Sequence, residues 1–166
     1  VISPSGIAAA KYLKQKFGTP YEVFCPPEII PEWKERKEQL EHSEQIEQNT
    51  AMPNRKERSD KKVLIVHQQV LANTLREELL TLAMEQKIET DFAKITVASW
   101  FMLDDALKKE GDILFKEEDD WISYIKENEY DIIIADPLLK KAVPFYKGEW
   151  YDLPHFAISG KKRQTV

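Results

Sequence analysis

Cysteine occurs once among the 166 residues, as Cys25, and glycine only five times. One thiol can build neither a disulfide framework nor a multi-cysteine metal or iron–sulfur site from this chain alone. Such cysteine usage belongs to a reducing compartment, so a cytoplasmic location is the expectation. The few glycines leave the usual phosphate cradles unbuilt. No Gly-x-Gly-x-x-Gly turn, no Gly-Lys-Ser/Thr loop and no Gly-x-Ser-x-Gly elbow occurs. Long apolar runs are missing too: Val63–Val66 and Ile132–Ala135 fall far short of the roughly 20 residues that span a bilayer. Excess positive charge is also lacking, with 24 basic against 29 acidic residues and a net charge of −5. Neither nucleic acid nor a membrane is therefore expected as a partner.

What is present is enough to fold. Hydrophobic residues make up 42% and charged residues 32% of the chain, a balance that supports a buried core in one domain or two small ones. The opening Val1-Ile2, followed by Ser3-Pro4-Ser5-Gly6, reads as a strand end entering a loop, with the start of the strand missing. An excised piece of a longer protein is the expectation. Gly6 to Phe17 carries Ala8, Ala9, Ala10, Tyr12 and Leu13 between spaced lysines and stops at Gly18, the pattern of a helix closed by a left-handed residue. Tyr21-Glu22-Val23-Phe24 alternates like a strand before Pro26-Pro27 ends it.

From Glu28 to Thr50 apolar residues are sparse, and Glu32, Glu35, Glu38, Glu41, Glu44 and Glu47 recur every third position. A spacing of three drifts around a helix of period 3.6, so these carboxylates wind over a solvated surface instead of converging on a metal. Ala51 to Lys61 has no periodicity and reads as a linker. Regular patterning follows. Val63-Leu64-Ile65-Val66 is a buried strand, and Leu71, Leu75, Leu79 and Leu82 mark an amphipathic helix behind it. Ile95-Thr96-Val97-Ala98 is the next strand, with a short helix through Leu103, Ala106 and Leu107 that ends near Gly111. A helix over Glu118 to Asn128, a strand at Asp131 to Ala135, a helical turn from Leu138 to Val143 and a last strand at Phe156-Ala157-Ile158 complete the series.

Continuous apolar strands separated by helices point to a parallel sheet covered on both faces. The expected fold is therefore a three-layer α/β/α arrangement of Rossmann-like type. Residues 1–58 would be the end of one α/β domain plus the charged helix and linker, and residues 59–166 a doubly wound α/β domain.

In open sheets of this kind ligands bind beyond the carboxyl ends of the strands. The residues there are His67, Gln68 and Gln69 after the first strand, Ser99 with Trp100 and Phe101 after the second, Asp136 after the third, and Ser159 and Gly160 after the fourth. Ser5 occupies the matching place in the N-terminal unit. His67 is the candidate catalytic residue, because an imidazole at a strand end can donate a proton or hydrogen-bond a substrate. Ser5, Gln68, Ser99, Asp136 and Ser159 are the candidate cavity lining. His42 stands among glutamates and His155 follows a proline; neither has a spaced partner that would make a zinc site, and no metal site is expected. Cys25, before two prolines, reads as a buried structural thiol.

Three stretches carry a family likeness: Ser5-Gly6-Ile7-Ala8-Ala9-Ala10-Lys11-Tyr12-Leu13 running into Lys16-Phe17-Gly18-Thr19-Pro20-Tyr21; Lys62-Val63-Leu64-Ile65-Val66 after a charged helix; and Glu129-Tyr130-Asp131-Ile132-Ile133-Ile134-Ala135. With the closing Leu153-Pro154-His155, they resemble the nitrogenase component 1 type oxidoreductases, the family that includes the catalytic subunits of dark-operative protochlorophyllide reductase. The resemblance implies the middle-to-late part of a subunit with three α/β domains around a metallocluster or a tetrapyrrole. It further implies two partners, a homologous component 1-like subunit and an ATP-dependent iron–sulfur reductase that supplies electrons.

The cysteines that bridge a cluster in such proteins belong to an N-terminal domain outside this sequence. No cofactor is thus expected within the fragment, and an iron–sulfur cluster only in the parent protein. Departures accompany the likeness. Val1-Ile2 stands where nitrogenase has a cofactor-ligand cysteine, Gln68-Gln69-Val70-Leu71 where it has a Gly-Gly-Leu-Arg turn, and Ser159 near its cofactor-ligand histidine. An iron–molybdenum cofactor would lack its thiolate, its imidazole and its close-approach glycine turn here. Two readings follow: a fragment of a nitrogenase-like oxidoreductase subunit, inactive by itself, or a non-catalytic scaffold or docking subunit that keeps the fold and offers its glutamate-rich helix to a basic partner. A third is a small-molecule binding domain of periplasmic-binding or response-regulator type; the first strand ends without the acidic cluster that magnesium requires, which argues against a receiver domain.

Overall fold

The computed structural model describes residues 1–26, 59–85 and 90–155. Five parallel strands lie in the order β3-β2-β1-β4-β5, where β1 is Ser59–Val66, β2 Thr90–Ser99, β3 Ile113–Leu114, β4 Ile132–Ala135 and β5 Glu149–Asp152. Helix α1 (Ile7–Phe17) precedes the sheet in sequence. Helices α2 (Gln69–Met84), α3 (Glu118–Glu127) and α4 (Pro137–Ala142) connect the strands.

The two faces of the sheet separate by the two-residue alternation of a strand. Val63 and Ile65 of β1 pack with Leu71 and Leu75 of α2, with Val97 and with Cys25. Leu64 and Val66 face the other way, onto Phe115, Trp121, Ile125 and Val143. Both faces are covered, which is why β1 and β4 read as unbroken apolar runs. The result is the expected three-layer α/β architecture.

Helix α1 ends as its sequence predicts. Gly18 sits at φ 70°, where a Cβ is disfavoured, and its N–H donates to the Lys14 carbonyl at 2.9 Å. Helix α3 starts at a capping box. The Glu117 side chain accepts from the Asp120 backbone, and the Asp120 side chain accepts in return from the Glu117 N–H.

Several expectations need correction. Leu103 to Leu107 forms no helix. Asp104 Oδ1 accepts the Ala106 N–H at 2.9 Å, and the turn closes through Leu107 N–H donating to the Asp104 carbonyl at 3.0 Å. An Asx turn thus competes with the helix for the same backbone donors. The following strand β3 has only two residues, too few to leave a period in the sequence. Tyr21–Phe24 is not a regular strand; it makes one parallel bridge to Val1, whose nitrogen donates to the Glu22 carbonyl at 2.6 Å and whose carbonyl accepts the Phe24 N–H at 3.0 Å.

The linker is shorter than expected, since β1 already begins at Ser59. The sequence does not mark strand β5, which borders the sheet among the described residues and has exposed Glu149 and Asp152 around the partly covered Trp150 and Tyr151. The expected strand Phe156-Ala157-Ile158 and the charged helix from Glu28 to Thr50 lie outside the described residues. No helix among the described residues is long and apolar enough to cross a membrane.

Candidate functional site

The strand order makes one place in the sheet special. From β1 the chain passes to β2 and β3 on one side, and β4 and β5 lie on the other. The order reverses between β1 and β4, and it is outside the carboxyl ends of such a strand pair that a crevice forms. His67 follows β1 directly, and Asp136 follows β4.

Helix starts hold both positions. Gln68 caps α2, its Oε1 accepting the Val70 N–H at 3.0 Å, and its Nε2 donates to the Ile2 carbonyl at 2.9 Å. Asp136 caps α4, its Oδ1 accepting the Leu138 N–H at 2.8 Å, with Pro137 preset for the first helical turn. The second carboxylate oxygen, Oδ2, accepts the His155 N–H at 2.8 Å. One buried side chain therefore fixes both the start of α4 and the segment that leaves β5.

His155 completes the group. Its ring lies 4.4 Å from that of His67, tilted by 42°, and 5.3 Å from the ring of Phe101. The three rings run from an exposed phenyl group inward, since Phe101 is 62% exposed, His155 5% and His67 1%. His67 Nε2 lies 3.3 Å from the Pro154 carbonyl. A carbonyl can only accept, so Nε2 carries the proton in this contact.

Burial pushes His67 down to about 4. The neighbouring His155 lowers it further, while the bond to Pro154 and the charge of Asp136 act in the opposite direction. His155 is likewise lowered by burial, with Asp136 opposing. Both imidazoles are neutral at pH 7. A neutral imidazole offers one donor and one acceptor, and proton donation by His67 requires a charge that it takes up only in acid.

Of the other candidate residues, Ser99 is buried at the end of β2, where its carbonyl accepts the Phe115 N–H at 2.9 Å. Ser5 is exposed, and its hydroxyl lies 2.6 Å from that of Ser3. The Gln68 bond to Ile2 brings this serine loop to the carboxyl end of β1. Ser159 lies outside the described residues. The structure thus gathers His67, Gln68 and Asp136 at the strand reversal and places Ser99 one strand away.

The sequence offers His155 only as a metal ligand without a spaced partner, not as part of this site. Its one signal is the polar residue after Pro154, which gains meaning only once β5 is seen to run beside β4 and deliver it to Asp136. Gln69, one of the strand-end residues that the sequence points to, has a structural part instead. Wholly buried, its amide Nε2 donates to the Asp104 carbonyl at 3.0 Å and its Oε1 accepts the Asp104 N–H at 2.7 Å, which clamps the loop that carries Phe101.

The implied cofactor can be tested against the one thiol. Cys25 is 1% exposed, packs among Val63, Leu71 and Leu75, and burial pushes its thiol up, with a hydrogen bond from Gln68 opposing. A cluster ligand must be a thiolate with access to the metal, so Cys25 does not fit that role. Among the described residues no group of three histidine, cysteine or carboxylate side chains is placed to hold a metal ion. Compared with known proteins, the chain matches no family, no curated protein and no solved structure.

Proposed function

We propose that this chain is part of a nitrogenase-like, component 1 type oxidoreductase subunit, and that the crevice beyond β1 and β4 holds a substrate or cofactor between α/β units. The observation that carries the reading is the convergence of His67, Gln68, Asp136 and His155 at the one reversal of a parallel sheet. It is supported by the three sequence stretches that resemble the family.

In this reading electrons come from an ATP-dependent iron–sulfur reductase, and a homologous component 1-like subunit completes the assembly. Any cluster would be held by cysteines outside this sequence, and no step is assigned to one here. The residues of this chain would bind and orient. Gln68 and the neutral His67 supply hydrogen bonds, and Phe101 a flat apolar surface.

The test uses the full-length parent, prepared without oxygen, and compares reductase turnover of the wild type with His67→Gln, which keeps an N–H donor, and His67→Leu, which does not. Turnover lost in Leu and partly kept in Gln, with unchanged circular dichroism, supports the reading. Equal turnover in all three removes His67 from the site. A folded parent without iron and acid-labile sulfide in cluster stoichiometry favours the scaffold reading instead.

A further inference from the structure

Helix α1 is anchored at one end and bare at the other. Its first turn is held by Ile7, 3% exposed, and Ala10, 8% exposed, whereas every residue from Lys11 to Pro20 is open to solvent. The bare part is not a polar helix end. Leu13 is 42% exposed, Tyr12 54% and Phe17 65%. Positions four apart share a helix face, so the exposed Ala9, Leu13 and Phe17 form one row, with Tyr12 and Lys16 in the row on one side and Ala10 and Lys14 in the row on the other.

The charge around this row has a single sign. Residues 1–21 hold Lys11, Lys14 and Lys16 and no aspartate or glutamate, in a chain whose net charge is −5. Lys16 Nζ donates to the Tyr12 hydroxyl at 2.8 Å and lies 5.3 Å from the ring centres of both Tyr12 and Phe17, and Lys14 Nζ lies 5.7 Å from that of Tyr21. Aromatic faces thus hold two ammonium groups in place without neutralising them. Among the described residues neither lysine has a carboxylate partner.

Cations in a last helical turn complement the negative end of the helix, and Lys14 and Lys16 stand there. That role accounts for the lysines alone. It gives no reason for an apolar row between them, because a helix face meant only for water carries polar residues. An anionic membrane would meet the same lysines, but Leu13 and Phe17 offer little area to insert, and the acidic remainder of the chain is repelled by such a surface. A protein helix fits the row better. Its own apolar ridge packs beside Leu13 and Phe17, the small side chain of Ala9 lets two backbones come close, and carboxylates that flank the ridge reach Lys14 and Lys16.

We propose that the row Ala9–Leu13–Phe17 of α1 is a docking surface for an acidic amphipathic helix of a partner protein, held by apolar packing along the row and by carboxylates paired with Lys14 and Lys16. The surface is preformed. Its two lysines are already seated on rings and the helix is closed at Gly18, so docking has little left to order.

A dye-labelled synthetic peptide of glutamate and alanine with leucines along one helical face, titrated into the whole chain and followed by fluorescence anisotropy, tests this. Binding should saturate and should weaken roughly tenfold or more between about 50 mM and about 500 mM salt. Lys14→Glu combined with Lys16→Glu, and separately Leu13→Ser combined with Phe17→Ser, should each weaken it roughly tenfold or more with unchanged circular dichroism, while Lys14→Arg with Lys16→Arg keeps it. No saturable binding, the outcome expected where another part of the same chain covers the row, overturns the proposal. Equal binding of a peptide whose leucines are scrambled off one face, or binding indifferent to either pair of substitutions, overturns it too. Self-association by light scattering that Lys14→Glu with Lys16→Glu abolishes makes the occupant a second copy and counts against a partner. Cosedimentation with phosphatidylserine vesicles but no peptide binding makes the row a membrane contact, which also overturns the proposal.

Discussion

The imidazoles of His67 and His155 lie 4.4 Å apart, one placed by the first strand of the sheet and the other by the exit from the last described one. Burial lowers both, and His155 lowers His67 further. Asp136 ties the second to the first by holding the His155 backbone while it caps α4.

Stability should therefore fall in acid with a defined sign. Above pH 7 both imidazoles are neutral in the folded and the unfolded chain, and neither contributes a pH dependence. As pH drops through the unfolded value of 6.5, the unfolded chain binds a proton at His67 that the folded chain refuses until about 4. The unfolding free energy should decline by about 3 kcal/mol across that window from His67 and level off below it. His155 adds to the loss in the same direction. Urea titrations at a series of pH values measure this, and His67→Phe should flatten the curve.

Asp112 should be the most costly carboxylate to remove. It is wholly buried and accepts from Arg76 Nη1 at 2.7 Å, Arg76 Nη2 at 3.1 Å, the Val97 N–H at 3.0 Å and the Lys109 N–H at 2.9 Å. Asp112→Ala leaves a buried guanidinium and two backbone donors without their acceptor, at an expected cost of about 3–5 kcal/mol in chemical denaturation. Arg76→Met combined with Asp112→Ala should cost less than the sum of the two single changes, because the uncompensated charge goes with the arginine. A cost of Asp112→Ala below about 1 kcal/mol would show that the pair contributes nothing beyond surface ion pairing.

Two glycines should respond differently to alanine. At Gly148 a Cβ would collide with the Tyr146 hydroxyl and come within 2.7 Å of the Asp131 carbonyl, which is backbone and holds the Glu149 N–H at 2.8 Å. At Gly18 a Cβ meets nothing within 4 Å and bears only the strain of φ +70°. Gly18→Ala should cost about 1 kcal/mol, and Gly148→Ala more, about 1–3 kcal/mol with β5 loosened. Thermal midpoints that rank the two in the opposite order would show that the Tyr146 side chain swings away freely.

The sequence exposed what periodicity can carry. Val63–Val66, Ile95–Ala98 and Ile132–Ala135 stand in β1, β2 and β4, and the leucines of α2 and Trp121, Ile122 and Ile125 of α3 mark those helices. Elements decided by few residues stayed hidden. β3 offers two residues and no period, and β5 alternates weakly because it has a single neighbour among the described residues. That omission concealed half of the candidate site. His67, Gln68 and Asp136 follow apolar runs and could be read directly, but the partner of His67 arrives through β5. A contact made across the sheet leaves no trace in local spacing, and Pro154-His155 looks like an ordinary loop until its neighbours are known.

The sheet also tapers. β1 and β2 have eight and ten residues, while the two outer strands have two and four. β-rich apolar stretches such as Val63–Val66 and Ile132–Ala135 are the kind that seed stacking between molecules when they lie at an edge. Here both are interior, and a neighbouring copy that approaches β5 meets Glu149 and Asp152 instead. Among the described residues both borders are short and the one at β5 is charged, so ordered edge-to-edge growth along β5 should be resisted in concentrated solutions of the folded chain.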